Sequence, residues 1–363
     1  MSLAKRLTGL KRPLMTWKPW WKGKAFAPRR LDIDQCGQPG HRLRAMKMDP
    51  VLEKYAMADV PRYTSYPTAV QFTDGFDGDV WKGWLAALAD AGSLSAYVHV
   101  PFCEKLCWYC GCHTSVPNSY DRAKSYTDTL VEEISSTGAL TGGQKGRVDH
   151  FHFGGGTPTY LKAQDLERIV SAIDEAFGIA PGAEVAIETD PRTFSPDMAR
   201  ALKAMGFNRA SFGVQDFNLE VQKKINRIQP YEQVAKCMED MRSAGIDAIN
   251  FDLIYGLPGQ TIDSVIDTAH QAARLRPSRI AVFGYAHVPW FKKHMKMIRD
   301  EDLPGVEARY EQTLAMTRTL CEEGYIAIGL DHFVLPDDDM AAAAKNGTLR
   351  RNFQGYTTDA SDA

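Results

Sequence analysis

Between Ser95 and Ala286, short apolar runs alternate with helix-length stretches, and this alternation constrains the fold more than any other feature of the chain. Strands are predicted at Ser95–Phe102, Val148–Gly154, Glu184–Thr189, Arg209–Val214, Ile249–Tyr255 and Arg279–Ala286. Helices are predicted between them at Tyr120–Ser136, Ala163–Phe177, Pro196–Met205, Tyr231–Ala244 and Ile262–Leu275. Runs such as AINFDLIYGL and RIAVFGYAH are nearly continuously apolar, as expected of strands with helices on one face and a packed interior on the other. Repeated βα units imply an α/β protein with a parallel sheet and right-handed crossovers. A partial barrel and an open doubly wound sheet both satisfy that pattern, and periodicity does not choose between them. Either arrangement puts the working site at the carboxyl ends of the strands.

The polar and glycine-rich signals gather at that rim. CEKLCWYCGC follows the first strand, GGGTPT the second, and Glu188-Thr-Asp-Pro-Arg192 closes the third. Gln215 and Asp216 follow the fourth, Asp252 lies inside the fifth, and Tyr285–His287 closes the sixth. A carboxylate within an apolar run is costly to bury without a partner, so Asp252 is either a ligand-binding group or a structural hydrogen-bond acceptor. Gly154–Gly156 leave the backbone bare for close approach to a carboxylate or ribose, and a tight strand-to-helix turn would equally need them.

Four of the seven cysteines lie between Cys103 and Cys112, and Cys103, Cys107 and Cys110 form C-x3-C-x2-C. Thiolates suit zinc or an iron–sulfur cluster. Zinc would need a fourth ligand, for which Cys112 or His113 is available. Three cysteines alone would leave one iron of a cubane cluster open to an external ligand, and spacing does not settle the choice. The clustering speaks for a metal site in a reducing compartment, with cytoplasm as the default, rather than a disulfide framework. Cys237 and Cys321 fall in helical stretches and read as core residues.

A formal charge of −2 over 363 residues gives no reason to expect nucleic-acid or anionic-membrane binding, and no run approaches the length of a membrane helix. Residues 1–48 stand apart, with twelve Lys or Arg against Asp32 and Asp34. They read as a disordered basic extension, or as translated upstream sequence with the start at Met46 or Met48. An N-terminal arm and helix are expected over 49–94, the core over 95–300, and the beginning of a C-terminal region over 301–363.

The string from Tyr97 to Cys112, YVHVPFCEKLCWYCGC, resembles the radical S-adenosylmethionine (SAM) superfamily and, more closely, the oxygen-independent coproporphyrinogen III oxidases. So do Pro61–Thr68, Phe153–Thr159, Gly213–Asp216, Ile225–Arg227, Asp252–Pro258, Asp331–Phe333 and Arg351–Thr357, in order from about Met48 onward. The resemblance implies a partial (β/α)6 radical SAM barrel carrying a [4Fe–4S] cluster on Cys103, Cys107 and Cys110, with SAM on the open iron. It implies two SAM molecules: Tyr97, Gly155 and Glu188 contact the cluster-bound one, with Tyr97 and Glu188 at the catalytic centre. Gly156, Thr157, Gln215, Arg227, Asp252 and the backbone of Ala286 contact the second, with Tyr109 nearby. The implied reaction uses a 5′-deoxyadenosyl radical to take hydrogen from a propionate β-carbon. Carbon dioxide then leaves and a vinyl group forms, twice per coproporphyrinogen III, giving protoporphyrinogen IX in haem biosynthesis. A donor such as flavodoxin or ferredoxin and a monomeric state are implied with it. Arg62 and Arg351 are candidates for the substrate carboxylates, His287 and His332 read as polar rim residues, and the role of Cys112 stays open.

The family continues beyond the Asn352–Thr358 motif into a mostly helical C-terminal domain, and this chain is expected to lack it. Two alternatives stand beside the oxidase reading. A haem-chaperone-like relative usually lacks the Gly111–Cys112 pair and the Arg351–Thr357 motif, both present here. The other is an inactive metal-binding remnant.

Overall fold

The computed structural model describes residues 71–75, 77–88, 91–141 and 147–363. The basic extension over 1–48, residues 49–70 of the arm, and the Pro61–Thr68 motif with Arg62 lie outside the described residues. A first helix, α1 (Gly78–Ala87), starts at Asp77, whose carboxylate accepts from the backbone of Asp79 and Val80. Six βα units follow. The strands are β1 (Leu94–Val100), β2 (Val148–Gly155), β3 (Ile179–Thr189), β4 (Arg209–Gln215), β5 (Ala248–Tyr255) and β6 (Arg279–Gly284). The helices after them are α2 (Asp121–Leu140), α3 (Ala163–Phe177), α4 (Pro196–Ala204), the short α5 (Leu219–Lys224) with α6 (Tyr231–Ser243), α7 (Ile262–Arg274) and α8 (Val306–Glu322).

Local chemistry marks several of the helix starts. Ser195 caps α4 with Pro196 at its first turn, Asn218 caps α5, and Thr261 and Ser264 form a reciprocal capping box on α7. These satisfy orphan N–H groups that would otherwise face water or go unpaired.

The six strands are parallel and lie in sequential order; β8 (His332–Val334) continues the same sheet antiparallel to β6, and β7 (Ile326–Ile328) lies beyond it, antiparallel to β8. The sheet therefore runs past residue 300. An order that never reverses, with crossovers of the usual right hand, puts every connecting helix on one face. A doubly wound sheet needs a reversal point, so the order selects the partial (β/α)6 barrel that periodicity left open. A small helix, α9 (Asp339–Asn346), and a hairpin of β9 (Arg350–Arg351) and β10 (Tyr356–Thr357) close the described chain.

The outer face makes the core. Val98, Phe151, Phe153, Ile187, Phe212, Phe251, Leu253 and Ile280 pack with helix residues such as Leu166, Ile169, Leu202, Met241, Val265 and Leu320. The inner face differs from the packed interior expected of apolar runs. The neighbours that alternate with these core residues are Tyr97, His99, His152, Glu184, Glu188, Arg209, Ser211, Asn250, Asp252 and Arg279. The period of two puts them together on the inside.

Near the amino ends of the strands this inner layer is paired. Arg209 donates to Glu184 at 2.9 Å and to Asn250 at 3.0 Å. Arg279 Nε meets both oxygens of Asp338 at 2.9 Å, and His150 lies 3.3 Å from Asp359. The segment after Asp359 runs along β1, with the Ser95 N–H donating to the Ala363 carbonyl at 2.7 Å.

Candidate active site

The cysteine loop is anchored at both ends. Cys103 and Ser115 are joined by the Cys103 N–H to Ser115 carbonyl bond (3.0 Å), and the Ser115 N–H donates to Pro101 (2.9 Å). The glycine run then zips onto the loop's base: Gly156 N–H donates to the Val100 carbonyl at 2.8 Å and Thr157 N–H to the Phe102 carbonyl at 2.7 Å. A Cβ on Gly156 would stand 2.6 Å from the Phe102 carbonyl and 3.0 Å from Cys103 Sγ. Gly155 sits at φ +113°, where a side chain would also strike His99. Close packing against the loop, and not turn geometry alone, demands both glycines.

Ile225-Asn-Arg227 clamps the loop from the other side. The Ile225 carbonyl accepts from Trp108 N–H at 3.0 Å, and Asn226 Nδ2, on a residue at φ +54°, donates to the Leu106 carbonyl at 2.9 Å. Arg227 follows, buried, with Nη1 at 3.4 Å from Cys107 Sγ and 3.2 Å from Asp190, and Nη2 on the Gly213 carbonyl at 2.5 Å. Arg192 Nη2 approaches Cys107 Sγ at 3.3 Å. Burial pushes the Asp190 carboxyl up, but Arg227 and Arg192 outweigh it and hold the group below its ordinary value.

Around the other thiols, Cys103 Sγ meets Thr114 Oγ1 at 3.2 Å and accepts from Thr157 Oγ1 at 3.4 Å. Burial raises the Cys103 thiol, the two hydroxyls oppose it, and the nearby Cys110 and Cys107 raise it further. A hydrogen bond from Cys112 brings the Cys110 thiol down to about 6 and pushes Cys112 up. The Cys110 carbonyl meets His294 Nε2 at 2.7 Å and the Cys112 carbonyl accepts from Lys292 Nζ at 2.9 Å, so the segment after β6 is tied to the loop.

Beside the loop, the inner-face residues at the rim converge. Tyr97 Oη lies 3.0 Å from His99 Nδ1, its ring stacks 6.0 Å from His152, and Phe353 of the β9–β10 hairpin packs edge-on at 5.0 Å. Glu188 accepts from Gly155 N–H at 3.2 Å and meets His152 Nε2 at 3.3 Å. A Cβ on Gly154 would lie 2.9 Å from both Glu188 Oε1 and Tyr97 Oη, so bare backbone brings these two side chains together. Asp252 accepts from Ser211 Oγ at 3.1 Å; burial, then the charge of Glu188, pushes its carboxyl up to about 6. Gln215, at φ +69° beside an irregularity in the β4–β5 register, and Arg227 both reach Gly213, where a Cβ would touch each.

Tyr109 lies beside the site, where the charges of Arg227, Cys107, Cys110 and Asp190 act on its hydroxyl, and other expected positions fall elsewhere. Tyr109 packs partly buried against a second apolar cluster of Val221, Ile225, Leu257 and Tyr285, and burial raises its hydroxyl. Ala286 is exposed just past β6. Arg351 is exposed on its hairpin, 5.4 Å over the ring of Tyr356, and its contact of note is that ring rather than the rim. His287 pairs with Asp300 at 3.1 Å and His332 with Asp331 at 2.7 Å. Asp190 and Arg192 read as rim residues in the Glu188–Arg192 run but carry no assigned role from sequence, and Thr114 gives no signal there.

Among the described residues no group of three or more His, Cys, Asp or Glu side chains is arranged around a single ion. Thiols that serve different irons of one cubane need not converge that way.

This fold and loop define a class, and residues 97–272 match the Radical SAM superfamily. Similar proteins narrow it. An oxygen-independent coproporphyrinogen III oxidase of Bradyrhizobium diazoefficiens is 50% identical over 305 residues, covering 84% of this chain and 68% of that protein. One from Escherichia coli is 42% identical over 308 residues, covering 85% of this chain and 66% of that protein. The solved structure of coproporphyrinogen III oxidase (HemN) from Escherichia coli, described as a radical SAM enzyme, superposes with a TM-score of 0.80 at 42% identity, covering 86% of this chain and 70% of that one. The chain belongs to the oxygen-independent coproporphyrinogen III oxidase family of radical SAM oxidoreductases. Membership brings a [4Fe–4S] cluster and SAM as cofactors, and the donor set fits the cluster. Three soft thiols share one loop, and two guanidinium groups and two hydroxyls point at their sulfurs. No helix among the described residues is long and apolar enough to cross a membrane.

Proposed function

We propose that this chain converts coproporphyrinogen III to protoporphyrinogen IX by oxidative decarboxylation of two propionates, on the haem pathway. The observation that carries the reading is the convergence of the cysteine loop, the glycine run and Glu188 on one rim, within a chain similar over most of its length to named oxidases. When bound, the cluster and its SAM supply a 5′-deoxyadenosyl radical able to take hydrogen from an unactivated C–H.

In this reading Cys103, Cys107 and Cys110 hold the cluster. Tyr97, Gly155 and Glu188 bind the first SAM: Glu188 uses Oε2 for Gly155 N–H and Oε1 for His152, and each oxygen keeps lone-pair capacity to accept from an amine or hydroxyl. Gly156, Thr157, Gln215, Arg227, Asp252 and Ala286, with Tyr109 nearby, hold a second SAM. Two features support that site: Arg227 Nε is buried without a partner, and Asp252 has Ser211 as its one hydrogen-bond partner among the described residues. The domain division proposed is an arm over 49–94 and a core that begins at 95; the boundary expected at 300 is passed by α8, β8 and β7, which pack with that core, and the beginning of a C-terminal region follows them. The enzyme is proposed to be a cytoplasmic monomer that takes electrons from a flavodoxin or ferredoxin, consistent with clustered thiols that need a reducing compartment.

The test is anaerobic turnover of the reconstituted, reduced chain with SAM and coproporphyrinogen III. Formation of 5′-deoxyadenosine together with protoporphyrinogen IX is expected. Iron–sulfur protein that makes neither would overturn the reading.

A further inference from the structure

Three charged side chains meet beside Cys107, just after β3. Asp190, Arg192 and Arg227 are each at most 10% exposed at their side chains, and both arginines point at Cys107 Sγ, at 3.3 and 3.4 Å. Asp190 binds Arg192 twice over, through Nε at 3.0 Å and Nη2 at 2.6 Å, and its Oδ2 also takes Arg227 Nη1 at 3.2 Å. Asp190 is one carboxylate against two guanidinium groups, and both of these also reach Cys107 Sγ.

The two arginines differ in what else they touch. Arg227 also donates to the Gly213 carbonyl beside Gln215 and has a free buried Nε facing its surroundings. The remaining contact of Arg192 is the Asn226 carbonyl at 3.4 Å, on the turn that clamps the loop. Every bond of Arg192 thus runs to Asp190, to Cys107 or to the loop's clamp.

We propose that Arg192, with Asp190 as its counter-charge, is a positioning residue that holds Cys107 and sets the reduction potential of the cluster there. The inference rests on the cluster assignment above. N–H groups and positive charge directed at a ligand sulfur stabilise the more negative, reduced state and raise the potential, and a neighbouring carboxylate lowers it. Arg192 and Asp190 act on the cluster with opposite signs.

The experiment is an anaerobic redox titration of the reconstituted chain, followed by the electron paramagnetic resonance (EPR) signal of the reduced cluster, with iron and acid-labile sulfide measured on each sample. Arg192→Gln is expected to disfavour reduction at least tenfold, about 59 mV downward for one electron. Asp190→Asn is expected to shift the equilibrium upward. Arg192→Lys, which keeps the charge and loses the fork, is expected between wild type and Arg192→Gln, and it decides the matter if the glutamine variant assembles no cluster. Unchanged potentials, or shifts of the same sign in the Arg192 and Asp190 variants, overturn the inference while leaving the proposed reaction intact. A wild-type chain that takes up iron without sulfide overturns both.

Discussion

The inner face of the barrel carries charge at both ends, and the two ends treat it differently. Where the strands begin, Glu184 meets Arg209, Arg279 meets Asp338, and His150 meets Asp359. Burial pushes the Glu184 carboxyl up, but Arg209 and Arg279 overcome it and hold the group below its ordinary range. Where the strands finish, Asp252 has one hydroxyl donor among the described residues and faces Glu188, and its carboxyl is pushed up to about 6. The same kind of side chain, on two strands of one sheet, contributes stability at one end and costs it at the other. Carboxylates kept short of partners in a folded protein mark a place that a ligand completes.

The largest expected effect tests the paired end. Arg279→Met leaves Asp338, almost fully buried, without its cation and should cost about 3–5 kcal/mol in denaturant unfolding of the cluster-free chain. A loss under about 1 kcal/mol would break the contrast. At the rim, Glu188→Gln should leave unfolding nearly unchanged, because the group is partly exposed. It should weaken SAM binding to the reconstituted chain about 10- to 100-fold, the worth of a hydrogen bond to a charged group, measured by equilibrium dialysis.

Asp252 sharpens the comparison through pH. Its folded value of about 6 lies above the ordinary 3.8, so the folded chain binds the proton more tightly than the unfolded one. Its contribution to stability is therefore full below about 4, declines as pH rises to about 6, and stays lost above that. Asp252→Asn should stabilise the cluster-free chain at pH 8 by up to about 3 kcal/mol and flatten that part of its stability–pH curve. Destabilisation at pH 8 would mean that the carboxylate is already satisfied. The smallest effect is expected from Phe353→Ala, which removes the edge-on contact with Tyr97 from a half-exposed ring and should cost about 1 kcal/mol or less in the same assay.

Much of the architecture was legible because it is written in period and punctuation. Ala163–Phe177 is helical over the span predicted, and five of the six parallel strands lie within two residues of their predicted bounds, while β3 starts five residues early at Ile179. β7 and β8 are not assigned as strands from sequence, because three-residue strands carry too little alternation. The polar inner face was hidden for a related reason. Asn250 and Asp252 sit in a run whose other members are apolar, and only the sheet's register shows that they share a side with Arg209 and Ser211. The cysteine loop and the glycine run were readable as motifs. Their contact was not, because Gly156 meets Cys103 across a gap in sequence that no local pattern spans. Arg192 reads as a rim residue from its run, but its partner does not, because a polar turn residue looks alike whether it faces water or a sulfur 85 positions away. Gln215 at φ +69° shows that a backbone conformation which disfavours side chains can sit under a residue that gives no sequence warning.

The central claim is that the rim holds an iron–sulfur cluster with one iron left for SAM. The most direct measurement is the EPR spectrum of the anaerobically reduced, reconstituted chain before and after SAM is added, with metal and sulfide analysis on the same sample. The account predicts iron with acid-labile sulfide and a cluster signal that SAM changes. Zinc without sulfide, or a cluster signal indifferent to SAM, would contradict it.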